Sequence, residues 1–170
     1  MNILTDSIRS DREYRHLLQA ISEQSAAKNP LPIVAAGLCE GAADAVYAAI
    51  VEDIRYRAKR KTPVLMICPE EKECQRMVSL LRRFGLRAEF FVSRDLNFYN
   101  IVASHEYEHE RLKVLSGILR GEIDAVVTTP DATLGYTISP EQLISGIMKL
   151  EFGKTLLDTP ELADKLTRAG

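Results

Sequence analysis

A mixed α/β fold, with a parallel sheet and helices on both of its faces, is predicted by three observations. Apolar runs of strand length at residues 33–36, 63–68, 87–92 and 123–129 alternate with stretches of helix length. That strand–helix order implies a parallel sheet joined by right-handed crossovers. The run PVLMIC, residues 63–68, is continuously apolar, as expected of a strand covered on both faces. Between the runs, apolar residues recur at helical rather than alternating spacing.

The elements follow in order. In SDREYRHLLQAISEQS, residues 10–25, Ser10 or Asp11 is placed to cap a helix. Its Leu17, Leu18 and Ile21 share one face, and it is expected to pack outside the sheet. NPLP, residues 29–32, then breaks the chain before a short buried strand at 33–36. A helix from Gly41 carries Val46, Ala49, Ile50 and Ile54 at helical spacing. It ends in RYRAKRK, which runs from Arg55 to Lys61 and places cations where the helix dipole is negative. After the strand at 63–68, the stripe Cys74, Met77, Leu80, Leu81 and Phe84 predicts a helix stopped by Gly85. RAEFFV, residues 87–92, is the third strand, and SRDLNFYNIVAS, residues 93–104, a long connection. Ser104 caps HEYEHERLKVLSGILR, whose stripe is Leu112, Leu115 and Leu119 and which closes at Gly121 before the last strand, residues 123–129.

Beyond this point the pattern changes. SPEQL, residues 139–143, reads as a short helix, IMKLEF, residues 147–152, as an alternating strand, and TPELADKLTRAG as a helix with Thr159 as cap and Pro160 at its first position. Three parts are expected: an N-terminal helix at 1–30, an α/β domain at 31–145, and at 146–170 a stretch that reads as the opening of a second, truncated domain. Leu156, Leu157, Leu162 and Leu166 of that tail need cover, supplied either by folding back on the sheet domain or by a second copy; of the two, a dimer through the tail is expected.

With 22 basic and 24 acidic side chains and a net charge of -2, the chain has no overall bias toward nucleic acid or anionic membrane. Its three cysteines, Cys39, Cys68 and Cys74, are odd in number and lack C-x-x-C spacing. This argues against a disulfide framework or structural zinc and fits a reducing compartment. No apolar run approaches the roughly 20 residues that cross a bilayer, and the opening MNILTDSIRSDREYR has no signal-peptide core. A cytoplasmic location is expected.

VAAGLCEGAADAV, residues 34–46, stands where a phosphate loop would stand. A Walker loop needs G-x-x-x-x-G-K-[ST], its Lys reaching the outer phosphates and its hydroxyl holding Mg²⁺. The frame falls on Ala36, Gly41, Ala42 and Ala43, so both of those functions are lost, and Glu40 adds a carboxylate that repels phosphate. No ATP site is expected. This failed loop, then VLMICPEEKECQRMVSLL, then VVTTPDATL, keep the order of the first motor lobe of a nucleic-acid helicase, in which such turns hold a strand's phosphates.

Other features are weighed and set aside. HEYEH, starting at His105 and ending at His109, matches the H-E-x-x-H zinc-hydrolase pattern. It lacks a third ligand and a buried second shell, so a solvated helix start is expected. The 55–61 run is read as a solvated helix end ahead of a phosphate contact. Phe90, Phe91, Phe98 and Tyr99 are read as core or rim ahead of a base-stacking platform. Cys39 at the helix-start turn has no neighbouring base and is read as structural.

Four stretches carry a family resemblance: LPIVAAGLCEGAADAVYAAI, PVLMICPEEKECQRMVSLL, SHEYEHERLKVLSGILRGEIDAVVTTPDATLGYTISPEQL and MKLEFGKTLLDTPELADKLTRAG. Over residues 31–170 the chain resembles the N-terminal region of the bacterial transcription-repair coupling factors, the Mfd family, which is similar to the first domains of the repair helicase UvrB. The resemblance implies a degenerate nucleotide site, to which Ala42 and Ala43 conform. The motor that uses ATP and Mg²⁺, and the contacts with RNA polymerase and DNA, then lie in downstream domains. It also implies a non-catalytic, autoinhibitory module whose second domain recruits UvrA, with the UvrA-contacting residues mostly after Gly170. The alternatives are a nucleotide-dependent DNA-binding lobe, which the missing Lys opposes, and a zinc hydrolase.

Overall fold

A computed structural model describes residues 3–57, 62–93 and 106–147, together with Pro160, Ala163, Asp164 and Thr167. The chain divides into two compact units, Met1–Gly135 and Tyr136–Gly170. In the first, strands β1 (Val64–Ile67), β2 (Ala88–Phe91) and β3 (Ala125–Thr128) form a parallel sheet in the order β1-β3-β2. Val64 and Ala88 flank Ala125, and Ile67 and Phe91 flank Thr128. The α/β class and its parallel sheet are therefore as the sequence predicts.

Helix α3 (Glu40–Glu52) precedes β1, α4 (Glu71–Arg83) joins β1 to β2, and α5 (Glu106–Leu119) precedes β3. Alternation along the strands separates two cores. On one face Ala88, Ala125 and Val127 pack with Ala48 and Val51 of α3 and with Cys74, Met77, Val78 and Leu81 of α4, Val64 and Met66 joining them. On the other, Phe91 and Val126 pack with Val114 of α5, Ile123 and Ala132, the last in α6 (Pro130–Leu134).

Both long crossover helices end the same way. Gly85 and Gly121 adopt φ of +83° and +69°, the left-handed region open to glycine. Each closes a double turn: Gly85 and Leu86 donate to the carbonyls of Arg82 and Leu81, and Gly121 and Glu122 to those of Ile118 and Gly117.

A third cluster lies on the side of α3 away from the sheet. Helices α1 (Ile3–Ser10) and α2 (Arg12–Ala26) pack there through Ile8, Tyr14 and Leu18 against Val46, Ala49 and Ile50. Asp11 caps α2 by accepting from the amides of Glu13 and Tyr14. Helix α1 has no counterpart in the sequence-based reading, and Tyr14 is the buried residue of α2. Glu52 ends α3, and Asp53–Arg57 form a single wider π-helical turn.

Three expectations are corrected. Residues 33–36 are not a strand: no β-partner holds them, and Val34 is 85% exposed. β1 is not covered on both faces, because α5 lies over β2 and β3 and leaves Leu65 and Ile67 58% and 56% exposed. In α5 the apolar stripe places the buried face only in part. Leu115 packs on the second core, but Leu112 and Leu119 are 39% and 40% exposed, while Arg111, Val114 and Gly117 are buried.

The second unit contains α7 (Pro140–Gly146), where Ser139 and Gln142 form a reciprocal capping box. The strand expected at 147–152 past Ile147, the tail leucines, the 93–104 connection past Ser93, and the basic run after Arg57 lie outside the described residues.

Candidate functional site

The start of α3 holds the positions of the failed phosphate loop. Gly37 turns the chain with φ +78°, and Cys39 is the N-cap residue without a side-chain cap bond. The amides of Ala42 and Ala43 both donate to the Cys39 carbonyl at 3.0 Å, so two of the first-turn donors are used inside the turn. Ala42 and Ala43 offer no side-chain donor. The basic residue beside this turn is Arg76 of α4, which donates to both oxygens of Asp44 at 3.1 Å and to Glu73 at 2.8 Å. Its charge is thus matched by two carboxylates, and these hold its ionisation above the usual arginine range. A groove of about 540 Å³ between this pair and the end of β1 is lined by Ala43, Tyr47, Cys68 and Pro69. The donor set does not fit a nucleoside triphosphate with its metal: a phosphate entering here meets Asp44 and Glu73, and among the described residues lining the groove the cation, Arg76, is paired with both.

The carboxyl ends of β2 and β3 form the second polar region, the place where open parallel sheets present ligand-binding loops. Arg111 is buried here. Its guanidinium lies 4.1 Å from the Phe91 ring centroid and donates to the Val92 carbonyl at 2.6 Å. Thr128 donates its hydroxyl to the Phe91 carbonyl at 2.8 Å. Both contacts tie α5 and β3 to the end of β2, so they fix strand ends. The sequence signal for Arg111 was an arginine inside a helical apolar pattern, which reads equally well as surface.

At the opposite end of the sheet Asp124 is fully buried. It accepts from the backbone and guanidinium of Arg87, from the Tyr56 hydroxyl at 2.9 Å and from Arg55. Burial alone would raise its pKa; the Arg87 and Tyr56 bonds outweigh it and hold the carboxyl at about 2. Burial and the bond to Asp124 raise Tyr56 in turn. Arg55, the first residue of the basic run, is thereby a structural cation.

The remaining candidates separate. Phe90 packs on the first core and Phe91 in the second, on opposite faces of the sheet, so they form no shared stacking platform. Cys39 is exposed, whereas Cys68 and Cys74 are buried side by side; burial pushes both thiols up, Cys74 to about 11. His105 lies outside the described residues, and His109 is exposed on α5. Among the described residues no group of three His, Cys, Asp or Glu could hold a metal ion, and no helix is long and apolar enough to cross a membrane. No family model matches the chain, and no curated protein or solved structure matches it.

Proposed function

We propose that this chain is a non-catalytic docking and autoinhibitory module of a transcription-repair coupling factor, a degenerate helicase-like lobe related to the first domain of UvrB. In this reading it holds the UvrA-recruiting surface in check by packing on the parent's downstream domains. ATP, Mg²⁺, RNA polymerase and DNA are handled elsewhere in the parent. The observation that carries the reading is the start of α3. It stands in chain order where a phosphate loop would stand, ahead of β1–α4 and β3–α6, although no strand precedes it, and it presents Ala42 and Ala43 beside an arginine paired with Asp44 and Glu73. A lobe kept without its phosphate chemistry is suited to contact rather than catalysis.

Mixing the labelled chain with a coupling factor that lacks only the segment equivalent to residues 1–145, and so keeps its second domain, tests this. A saturable complex that lowers the shortened factor's binding to UvrA is expected. No complex at high micromolar concentration, or a complex without effect on UvrA binding, would refute the autoinhibitory role.

A further inference from the structure

We propose that Met66, Cys68, Cys74 and Met77 form a site for a soft monovalent metal ion, Cu(I), in the groove between α3, α4 and the carboxyl end of β1. The site is independent of the coupling-factor reading and rests on four sulfurs gathered from two neighbouring elements.

Local periodicity brings them together. Met66 lies on β1, and Cys68 continues the same strand, its amide donating to the Thr128 carbonyl at 2.9 Å. Alternation therefore puts both side chains on the face that α4 covers. Cys74 and Met77, three residues apart on α4, share the side it turns to the sheet. Cys68, Cys74 and Met77 are buried in the first core, with Met66 half-buried against it, and the two thiols lie side by side. Met66, Cys68 and Met77 line the groove of about 540 Å³ together with Ala43 and Tyr47 of α3, which gives an ion a path in from solvent. Cys74 stands behind Cys68, fully buried. Two of the chain's four methionines and two of its three cysteines thus meet at one spot, where leucine or valine would fill the same volume. The cysteines alone fall short of a metal site; the methionines complete it.

The donor set selects the ion. Thiolate and thioether sulfurs are soft ligands that favour Cu(I), whereas zinc is held by Cys, His and carboxylate, and calcium and magnesium by oxygen. The carboxylates of this groove, Asp44 and Glu73, are already bonded to Arg76 at 3.1 and 2.8 Å. Charge points the same way. Cys68 faces the groove and supplies the thiolate: as its sulfur bonds the ion, its proton leaves to solvent. One thiolate and one Cu(I) make a neutral pair, to which two thioethers and the Cys74 thiol add sulfur without adding charge. A divalent ion in the same place would leave a net positive charge among buried apolar groups, which is costly. The ion enters as Cu(I) and stays Cu(I), so no oxidant or reductant takes part.

Cu(I) uptake by the full chain, kept reduced and free of oxygen, tests the site in competition with the chromophoric chelator bicinchoninate. One equivalent bound by the parent is expected, and the same by Cys39→Ser, which removes the exposed thiol. Cys68→Ser should weaken binding by at least about 100-fold and Met66→Leu/Met77→Leu by at least about 10-fold, the two ends of what loss of a supporting partner costs at a metal site. Leucine is close to methionine in volume, so the double variant keeps the core filled. Methyl-labelled methionine gives a readout in the parent itself: the signals of Met66 and Met77 should shift on adding one equivalent of Cu(I), while those of Met1 and Met148 stay in place. No uptake by the parent, unmoved Met66 and Met77 signals, binding unchanged in Cys68→Ser or in the methionine double variant, or binding lost in Cys39→Ser overturns the site. Binding as tight to the urea-unfolded chain overturns it too, since the thiols would then suffice without the fold.

Discussion

The Arg87 guanidinium grips both oxygens of the fully buried Asp124, at 2.8 and 3.1 Å, while the Arg87 amide adds a third bond at 2.9 Å. Two residues at the heads of neighbouring strands are thus locked in register. The Asp124 carboxyl titrates at about 2 in the folded chain, below the roughly 3.9 of an unfolded aspartate. A depressed carboxyl stabilises above the unfolded value, and that stabilisation is lost as the pH falls through the folded one. Asp124→Asn is expected to cost about 3 kcal/mol at pH 7, at the low end for breaking a buried pair because Arg87 is half exposed and can rehydrate. Between about pH 4 and pH 2 the gap between parent and variant should shrink by about 2 kcal/mol. Urea midpoints at pH 7, 4 and 2.5 measure it, and a gap independent of pH would contradict the assignment.

Asp124 also marks where sequence reasoning stops. Its place before the apolar run AVVT was visible, but an acidic residue there reads as a solvated turn until Arg55, Tyr56 and Arg87 are brought to it from as many as 69 positions away. The strands β1, β2 and β3 and the helices α4 and α5 were legible because their apolar spacing and the stops at Gly85 and Gly121 are local signals. Residues 33–36 carry the same apolar signal and are not a strand: a strand needs a neighbour, and composition does not say whether one stands alongside. The alanines at 42 and 43 could be read directly, whereas the pairing of Asp44 with Arg76 spans 32 positions and could not.

The N-terminal helices are held by a second buried carboxylate. Asp53 accepts from the Tyr14 hydroxyl and from Arg9 Nε, both at 2.8 Å, and Arg9 reaches Glu52 at the same distance. Tyr14→Phe removes one donor while leaving Arg9 in place, so a loss of about 1–2 kcal/mol is expected. Arg9→Met should cost more, since it leaves Asp53 and Glu52 without their shared cation. Chemical denaturation of both variants checks the order; a Tyr14→Phe variant as stable as the parent would remove the hydroxyl from the account.

Mg-ATP is expected to leave the melting temperature unchanged. A ligand specific for the folded chain at a hundred times its Kd would add about 2.7 kcal/mol, a readily measured shift. Asp44 and Glu73 occupy Arg76 beside the turn at the start of α3. A Mg-ATP-dependent rise that Gly41→Glu abolishes would show that the turn binds nucleotide after all.

Gly117 tests the contact between α5 and the residue that leads into β3. A Cβ built at Gly117 would lie 2.8 Å from Ile123 Cδ1 and 3.1 Å from its Cγ1. Alanine in a helix interior is favoured over glycine by about 1 kcal/mol, so Gly117→Ala would stabilise if this position were open. Ile123 is only 4% exposed and packs with Phe91, Val114 and Val126, which leaves its terminal methyl little room to retreat. Overpacking of this kind costs about 1–3 kcal/mol, enough to reverse the sign. Ile123→Val removes Cδ1 and by itself should cost about 0.5–1.5 kcal/mol. In that background Gly117→Ala should be tolerated better than in the parent by at least about 1 kcal/mol, a coupling that a double-mutant cycle isolates. If Gly117→Ala stabilises the parent chain, α5 sits farther from Ile123 than the 2.8 Å approach allows, and the close packing of the second core at that end is refuted.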